Sequence, residues 1–336
     1  MQAAIYGLSG PVMTDDERDF FRDSDPAAYI LFRRNCATPE QVRALTDSLR
    51  SLAGRDDLPI LIDQEGGRVA RMQPPEWPAF PCGWEFARLY DKAPSSAIEA
   101  ARANARALAL MLRASGVNVD CLPLLDVRRP EADEIIGDRA MGSEPMQVAA
   151  LGRAVLDGLR SGGVVGVIKH IPGHGRALCD SHKELPVVEA SAEELETDLE
   201  PFEKLNHAPM GMMAHVVYTA WDAARPASQS AEVIEKIVRA RIGFSGWLMS
   251  DDIGMEALSG GFGERAARVV QAGCDAALHC SGKMEEMVAV AAAVPEMSAE
   301  GEKRLAKAMA TIAGHEDNGP DLAATLAKRD ELLALA

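Results

Sequence analysis

The strongest constraint on the fold of this chain is an alternation. Eight short apolar runs recur along its 336 residues, at 3–8, 29–32, 59–63, 117–122, 164–169, 210–216, 247–250 and 275–279. Helical patterns lie between most of them. Several runs are continuous rather than alternating in polarity, as strands buried on both faces should be. Thr14…Glu17, Thr38…Gln41 and Ser191…Glu194 each fit a capping box, and Pro39 takes the favoured first helical position. Residues 97–115 are rich in Ala, Leu and Arg and run into Gly116, which suits a C-cap. Strand followed by helix, about eight times over, implies an α/β protein with a parallel sheet and helices outside. A closed (β/α)8 TIM-type barrel is the expected form, with a doubly wound open sheet as the alternative. No internal repeat or linker marks a second domain. One domain is therefore expected over 1–336, with the barrel at about 1–282 and additional C-terminal helices at about 283–336. Residues 314–320 read as a loop before the last helix.

Charge and composition narrow the function. Asp and Glu number 51 against 35 Lys and Arg, a formal charge of −16. That balance opposes general binding of nucleic acid or membrane surfaces. Aromatic residues are only 5%, which argues against a long stacking cleft. The six cysteines, Cys36, Cys82, Cys121, Cys179, Cys274 and Cys280, form no CxxC pair. Free thiols in a reducing compartment are expected. The N-terminus lacks the basic and apolar regions of a signal peptide, and the longest apolar run, 287–294, is too short to span a bilayer. A cytoplasmic location follows as the expectation.

In a barrel, reactive groups should sit just after strands, at the C-terminal face. The unusual polar clusters fall there. Asp63-Gln64-Glu65-Gly66-Gly67-Arg68 follows the third run, and Lys169-His170 closes the fifth. His215 ends the sixth, and Ser250-Asp251-Asp252 ends the seventh. The densest cluster runs from Lys169 through Gly173-His174-Gly175 to Asp180-Ser181-His182. Its glycines and proline shape an exposed loop. A metal site is one reading of its three histidines, but the spacing fits no standard zinc pattern and Lys169 would repel a cation. A purely structural loop is another. The catalytic reading rests on Asp180 and His182. Two residues apart, their side chains can meet, and a carboxylate on one imidazole nitrogen orients the ring while the other moves a proton.

Ser250-Asp251-Asp252 leaves more open. Adjacent carboxylates on a strand face opposite sides, so only one need enter a pocket. It could serve as metal ligand, general base or covalent nucleophile, or the pair could simply cap the next segment. Asp63, Arg71, Arg139, Lys169 and His170 can bind hydroxyls or carboxylates. Taken singly each is an ordinary surface or ion-pair residue; their recurrence after successive strands is what suggests a site. The Gly-Gly near Asp63 matches neither GxGxxG nor a P-loop.

Taken together, these segments resemble the β-N-acetylglucosaminidase branch of glycoside hydrolase family three. The resemblance is carried by Ile62-Asp63-Gln64-Glu65-Gly66-Gly67-Arg68-Val69-Ala70-Arg71, by Ile136-Gly137-Asp138-Arg139 and by the histidine loop from Lys169 to His182. Ser250-Asp251-Asp252-Ile253-Gly254-Met255 and Gly273-Cys274-Asp275 fit as well. It spans roughly residues 1–280, in order. The resemblance implies Asp251 as nucleophile, His182 as general acid/base and Asp180 as its dyad partner. Asp63, Arg71, Arg139, Lys169 and His170 would bind the sugar. It implies no metal and no cofactor, a monomer, and a small-molecule saccharide or muropeptide substrate. That substrate would be N-acetylglucosamine linked β-1,4 to 1,6-anhydro-N-acetylmuramic acid, with or without peptide, met in cytoplasmic cell-wall recycling.

Two positions depart from the pattern: Arg176 after Gly175, where an acidic residue or Thr is expected, and Arg33, where a small residue is usual. Both bear on loop shape and leaving-group preference. Carrying His182 on a loop would let it close over a bound sugar and open for release. Rival activities are a phosphorolytic N-acetylglucosaminidase, a metal-dependent amidohydrolase using His170, His174, His182 and Asp251, and a non-catalytic sugar sensor. Arg71, Arg139 and Lys169 suggest a mouth less negative than the chain as a whole.

Overall fold

The computed structural model describes residues 1–336. Ten strands occur in chain order: β1 (Gln2–Gly7), β2 (Pro26–Leu31), β3 (Ile60–Ile62), β4 (Val119–Asp120), β5 (Val165–Ile171), β6 (Val187–Val188), β7 (Met210–Met213), β8 (Val217–Tyr218), β9 (Trp247–Asp252) and β10 (Ala276–His279). Eight of them close a parallel barrel in the order β1-β2-β3-β4-β5-β7-β9-β10, with β10 returning to β1. The closure is direct: Tyr6 stands opposite Tyr29 on one side and His279 on the other. The barrel, rather than the open sheet, is therefore the fold, and each of the eight apolar runs contributes one barrel strand.

Helices outside the barrel are Asp15–Ser24, Pro39–Ala53, Gly83–Lys92, Pro94–Ala114, Pro145–Ser161, Ala192–Lys204 and Phe262–Ala272. The capping boxes at Thr14/Glu17 and Ser191/Glu194 are both complete. Thr38 accepts from the Gln41 N–H, but the Gln41 side chain accepts from the Ala37 N–H instead, so that box is only half formed. Ser115 follows the helix Pro94–Ala114 and Gly116 turns the chain at φ 79°. The segment 233–241 winds as a π-helix.

Three helices follow β10: Met284–Ala293, Ala299–Ala310 and Leu322–Leu333. They share the barrel's core. One cluster of 91 buried apolar residues includes Leu305, Ala308 and Met309 with the strand residues. In the last helix Arg329 Nη1 donates to Asn104 Oδ1 at 3.3 Å, and Lys328 pairs with Glu99, fixing it on the helix Pro94–Ala114.

Strand lengths differ from the apolar runs for local reasons. β4 is short because Pro123 follows Leu122 and brings no N–H to the ladder. β5 continues through Lys169 and His170 because neighbours meet their polar groups: both residues are buried, Lys169 beside Asp63 and His170 Nδ1 beside Asp126. The two-residue strands β6 and β8 pair outside the barrel, Val187 with Val217 and Val188 with Tyr218. No helix is long and apolar enough to cross a membrane. All six cysteines are unpaired.

Candidate active site

A cavity of about 210 Å³ opens at the C-terminal ends of the strands. Asp63, Arg71, Arg139, Lys169, His170, His182 and Asp251 all line it. Seven of the eight residues singled out from sequence thus meet at one place. The eighth, Asp180, stands behind His182, with Oδ1 2.8 Å from its Nδ1.

The floor is an ion-pair lattice. Asp63, just past β3, accepts from Lys169 Nζ at 3.0 Å and from Arg71 Nη2 at 3.0 Å. Glu65 meets Lys169 Nζ at 2.7 Å and takes two parallel hydrogen bonds from Arg139 Nε and Nη2, each 2.8 Å. Lys169 is only 2% exposed, so these carboxylates are what keep its charge tolerable. Burial alone would raise the Asp63 and Glu65 carboxyls; Lys169 with Arg71, and Arg139 with Lys169, outweigh it. Asp63 falls well below the usual carboxylate range and Glu65 falls to about 2. Burial would likewise strip Lys169 of its proton, but Glu65 and Asp63 hold its pKa above the ordinary value. Lys169 Nζ donates to Asp63 and forms a close ion pair with Glu65, at the edge of the cavity it helps to line.

Glu65 and Asp126 are functional residues that the sequence reading did not single out. Asp126 is fully buried, with Oδ2 2.7 Å from His170 Nδ1. Its Oδ1 accepts from the backbone N–H of His170 at 3.2 Å and of His174 at 2.7 Å. One carboxylate therefore fixes the His170 ring and starts the histidine loop. Burial would raise it, yet His170 and His174 bring it down to about 2. Its signal in sequence is a lone charge in the apolar run Leu124-Leu125-Asp126-Val127, where only a paired carboxylate is affordable. Glu65 lies two residues from Asp63, but its partner Arg139 is 74 positions away.

The loop from 172 to 186 is seated on the barrel mouth. Gly175 passes so close to the Val127 carbonyl that any side chain there would collide with it. Arg176, the departure noted in sequence, donates from Nε to Asp198 Oδ2 at 2.6 Å and from Nη2 to the Glu194 carbonyl at 2.9 Å. It ties the loop base to the helix Ala192–Lys204. The other departure, Arg33, does not line the cavity; Arg34 and Arg71 both lie 5.0 Å from the ring centre of Phe32, which does. At the far end, the Ala257 N–H donates to the Ser181 carbonyl at 3.2 Å, and Ser181 Oγ is 3.3 Å from His174 Nε2. His182 itself is 56% exposed at the rim. Burial opposes ionisation of Asp180, but the His182 backbone N–H and ring hold its carboxyl below the usual range.

Asp251 and Asp252 divide the work of the strand end. Asp252 Oδ1 accepts from Gly254 N–H at 3.0 Å and Cys280 N–H at 3.1 Å, so it caps the turn. Burial and the neighbouring Asp251 charge push its carboxyl up. Asp251 accepts only the Asp252 N–H, at 2.8 Å. Burial opposes its ionisation, but the His170 and His215 rings and that N–H outweigh it and hold its carboxyl below the usual range. His215 is buried, with Nδ1 2.7 Å from Ser228 Oγ and Nε2 3.1 Å from the Asp252 carbonyl.

The cavity carries Arg68, Arg71, Arg139 and Lys169 against Asp63, Glu65, Asp251 and Asp252. It is balanced where the chain is −16 overall. Phe32 is its one Phe, Tyr or Trp, in keeping with a pocket rather than a stacking cleft. No three His, Cys, Asp or Glu side chains converge as metal ligands. His170 and His182 each commit Nδ1 to a carboxylate, as orienting partners do.

These pairings predict acid sensitivity. The unfolded chain takes up protons on His near pH 6.5 and on carboxyls near about 4. Burial, with the nearby His170 ring, pushes His174 down to about 4, so the folded state refuses a proton that the unfolded chain accepts. Stability should decline first as pH falls below about 6.5, from His174 down to about 4 and also from the buried His215 and His279. It should decline again as pH falls toward about 2, where Glu65 and Asp126 protonate. Thermal melting of wild type and His174→Gln across this range checks it; the first decline should be shallower in the variant, the remainder coming from other histidines that burial also pushes down, His215 and His279 among them.

A barrel mouth with ionised carboxylates, an oriented histidine and room for one small polar ligand suits a sugar-cleaving enzyme of the glycoside hydrolase class. The chain belongs to glycosyl hydrolase family 3: that family's N-terminal domain matches residues 4–314. Within the family it is a β-N-acetylhexosaminidase. It is 37% identical over 308 residues to a beta-hexosaminidase of Alkalilimnicola ehrlichii, covering 90% of this chain and 87% of that one. It is 39% identical over 281 residues to a beta-hexosaminidase of Xanthomonas axonopodis pv. citri, covering 82% and 83%. Among solved structures, NagZ from Neisseria gonorrhoeae in complex with N-trifluoroacetyl-D-glucosamine superposes with a TM-score of 0.86 at 30% identity, over 100% of this chain and 98% of that one. A family 3 beta-N-acetylglucosaminidase from Paenibacillus gives 0.85 at 30% identity, over 98% of this chain and 66% of that one.

Proposed function

We propose that the protein is a retaining exo-β-N-acetylglucosaminidase. It removes terminal N-acetylglucosamine from peptidoglycan fragments in the cytoplasm, the linkage being β-1,4 to 1,6-anhydro-N-acetylmuramic acid. The observation that carries this reading is the pairing, across one cavity of about 210 Å³, of Asp251 with the Asp180–His182 dyad. A cavity of that size takes one terminal sugar, which suits exo action.

Asp251, held ionised, attacks the anomeric carbon and forms a covalent glycosyl-enzyme. His182, protonated and oriented by Asp180, gives its proton to the departing oxygen. Neutral His182 then takes a proton from water as that water attacks, and two inversions restore the β configuration. Asp63, with two lone-pair sites left beyond Lys169 and Arg71, accepts from sugar hydroxyls; Lys169 and His170 complete the grip. Arg139 acts mainly through Glu65, keeping two of its five N–H groups free. The loop opens by release of the Ser181–Ala257 contact and admits or discharges sugar.

The test is an aryl N-acetylglucosaminide beside the matching aryl glucoside. Turnover of the N-acetyl sugar should exceed that of the glucoside by about 100-fold or more, the discrimination that polar contacts to one substituent commonly supply. Equal or reversed preference would remove the assignment.

A further inference from the structure

The histidine loop from Pro172 to Pro186 is held unevenly along its length. Residues 172–175 and Ala177 are buried, whereas 178–185 are exposed or half-buried apart from Ser181. The buried stem is tied at nearly every step. Tyr218 Oη donates to the Gly173 carbonyl at 2.7 Å, and Asp126 takes the His174 N–H at 2.7 Å. Gly175 packs on Val127, and the Asp133 N–H donates to the Ala177 carbonyl at 2.9 Å. Past Ala177 the ties are sparse: the Ala257 N–H on the Ser181 carbonyl at 3.2 Å, and Ser181 Oγ 3.3 Å from His174 Nε2. At Pro186 the chain is fixed again, its carbonyl accepting from the Val217 N–H at 2.9 Å.

Arg176 stands at the boundary between the two halves. Its guanidinium reaches away from the cavity to the helix Ala192–Lys204, with Nε on Asp198 Oδ2 at 2.6 Å and Nη2 on the Glu194 carbonyl at 2.9 Å. Asp198 is only 2% exposed, and its Oδ1 has no partner. Burial pushes the Asp198 carboxyl up, and Arg176 and Arg129 pull against that. Arg129 is the more distant of the two, at 3.8 Å. Arg176 is therefore the nearer countercharge of a buried carboxylate and, through a second bond, a clamp on the helix backbone. Hydrogen bonds from a charged donor to a carboxylate are among the stronger ties a loop can have.

The place of this anchor sets how much chain can move. From Pro172 to Pro186 there are fourteen Cα steps, about 48 Å at full extension; from Ala177 to Pro186 there are nine, about 31 Å. Shortening a flexible segment by that ratio makes its closure about twofold more probable through chain entropy alone. We propose that Arg176 is a positioning residue for the general acid: its tie to Asp198 and Glu194 confines the moving part of the loop to residues 178–185. His182 then swings on a short flap hinged at Ala177 and Pro186, not on the whole loop, and returns to the glycosidic oxygen along a shorter arc. This rests on the reading of His182 as the acid that protonates the leaving oxygen and of its loop as one that opens to pass sugar.

The experiment follows backbone hydrogen exchange and leaving-group dependence in the wild type, Arg176→Ala, Arg176→Lys and the double variant Arg176→Ala/Asp198→Asn. In the wild type, peptides covering 173–177 should exchange more slowly than those covering 178–185. Arg176→Ala should speed exchange over 173–177 by about tenfold or more, as loss of hydrogen bonds from a charged donor implies. Its kcat/KM on the disaccharide N-acetylglucosaminyl-1,6-anhydro-N-acetylmuramic acid should fall by about two- to tenfold, the lower figure being the chain-entropy share. On a dinitrophenyl N-acetylglucosaminide, whose leaving group needs no proton, it should change less than about twofold. Arg176→Lys keeps a charge beside Asp198 but loses the reach to Glu194, so it should fall between Arg176→Ala and the wild type. The double variant removes the tie without leaving a buried carboxylate, so it should behave as Arg176→Ala does. Unchanged exchange over 173–177, equal losses on both substrates, or recovery of disaccharide turnover in the double variant overturns the proposal. Failure of the function reading looks different, since the wild type itself would then leave both substrates uncleaved.

Discussion

Asp251→Asn is expected to lower kcat by roughly 10⁴-fold or more on every substrate, as loss of a covalent nucleophile does. The substitution is nearly isosteric, and the amide oxygen can still accept the Asp252 N–H that Asp251 accepts at 2.8 Å. What disappears is the negative charge facing His170 and His215 and the electron pair that attacks carbon. The protein should therefore stay folded and still bind N-acetylglucosamine. With a fluorinated slow substrate, intact mass of the wild type should show a covalent sugar adduct, and the variant should show none. An adduct in Asp251→Asn, or an α-anomer as first product of the wild type by NMR, would refute the double displacement. Asp252→Asn makes a contrast. Its Oδ1 serves two backbone N–H groups, so that change should act through folding and melting temperature.

The residues explain which parts of this outcome were open to sequence reading. The barrel was legible because strands buried on both faces must be apolar throughout, and each such run leads into the polar mouth. Asp251, His182 and Asp180 could be singled out because charges at strand ends, or a carboxylate two places from a histidine, have a local meaning. Glu65 and Asp126 were not, for a physical reason. The importance of Glu65 comes from Lys169 and Arg139, brought to it only by barrel closure. Asp126 matters through His170 and His174, more than forty positions on. The strands β6 and β8 were invisible because two residues carry no periodicity.

The floor and the rim of the site obey different electrostatic rules, and this sets what substitutions there can report. Lys169, Asp63, Glu65 and Arg139 are buried together, so removing one leaves another charge uncompensated. Changes in that lattice will disturb sugar binding and stability at once. The Asp180–His182 dyad, by contrast, sits at the rim, with His182 at 56% exposure and Asp180 keeping the His182 backbone N–H as a partner of its own. Its removal leaves no buried charge unpaired, so its effects should be confined to proton transfer.

His182→Ala should accordingly separate substrates by leaving group. On the disaccharide, whose departing alkoxide needs a proton, kcat/KM should fall by about 10² to 10⁴-fold, the usual contribution of a general acid. On a dinitrophenyl N-acetylglucosaminide, whose leaving group departs unprotonated, the same constant should change less than about tenfold. The second half-reaction still lacks its base, so kcat should drop for both substrates, and glycosyl-enzyme should accumulate on the dinitrophenyl one, whose first step stays fast. Azide needs no deprotonation to attack; adding it should raise kcat of the variant on the dinitrophenyl substrate and yield a β-glycosyl azide, while leaving the wild type unaffected. Asp180→Asn should share this pattern in milder form, because the ring loses its orienting carboxylate but keeps its transferable proton. Equal losses on both substrates, with no response to azide, would mean that His182 holds substrate rather than moving a proton.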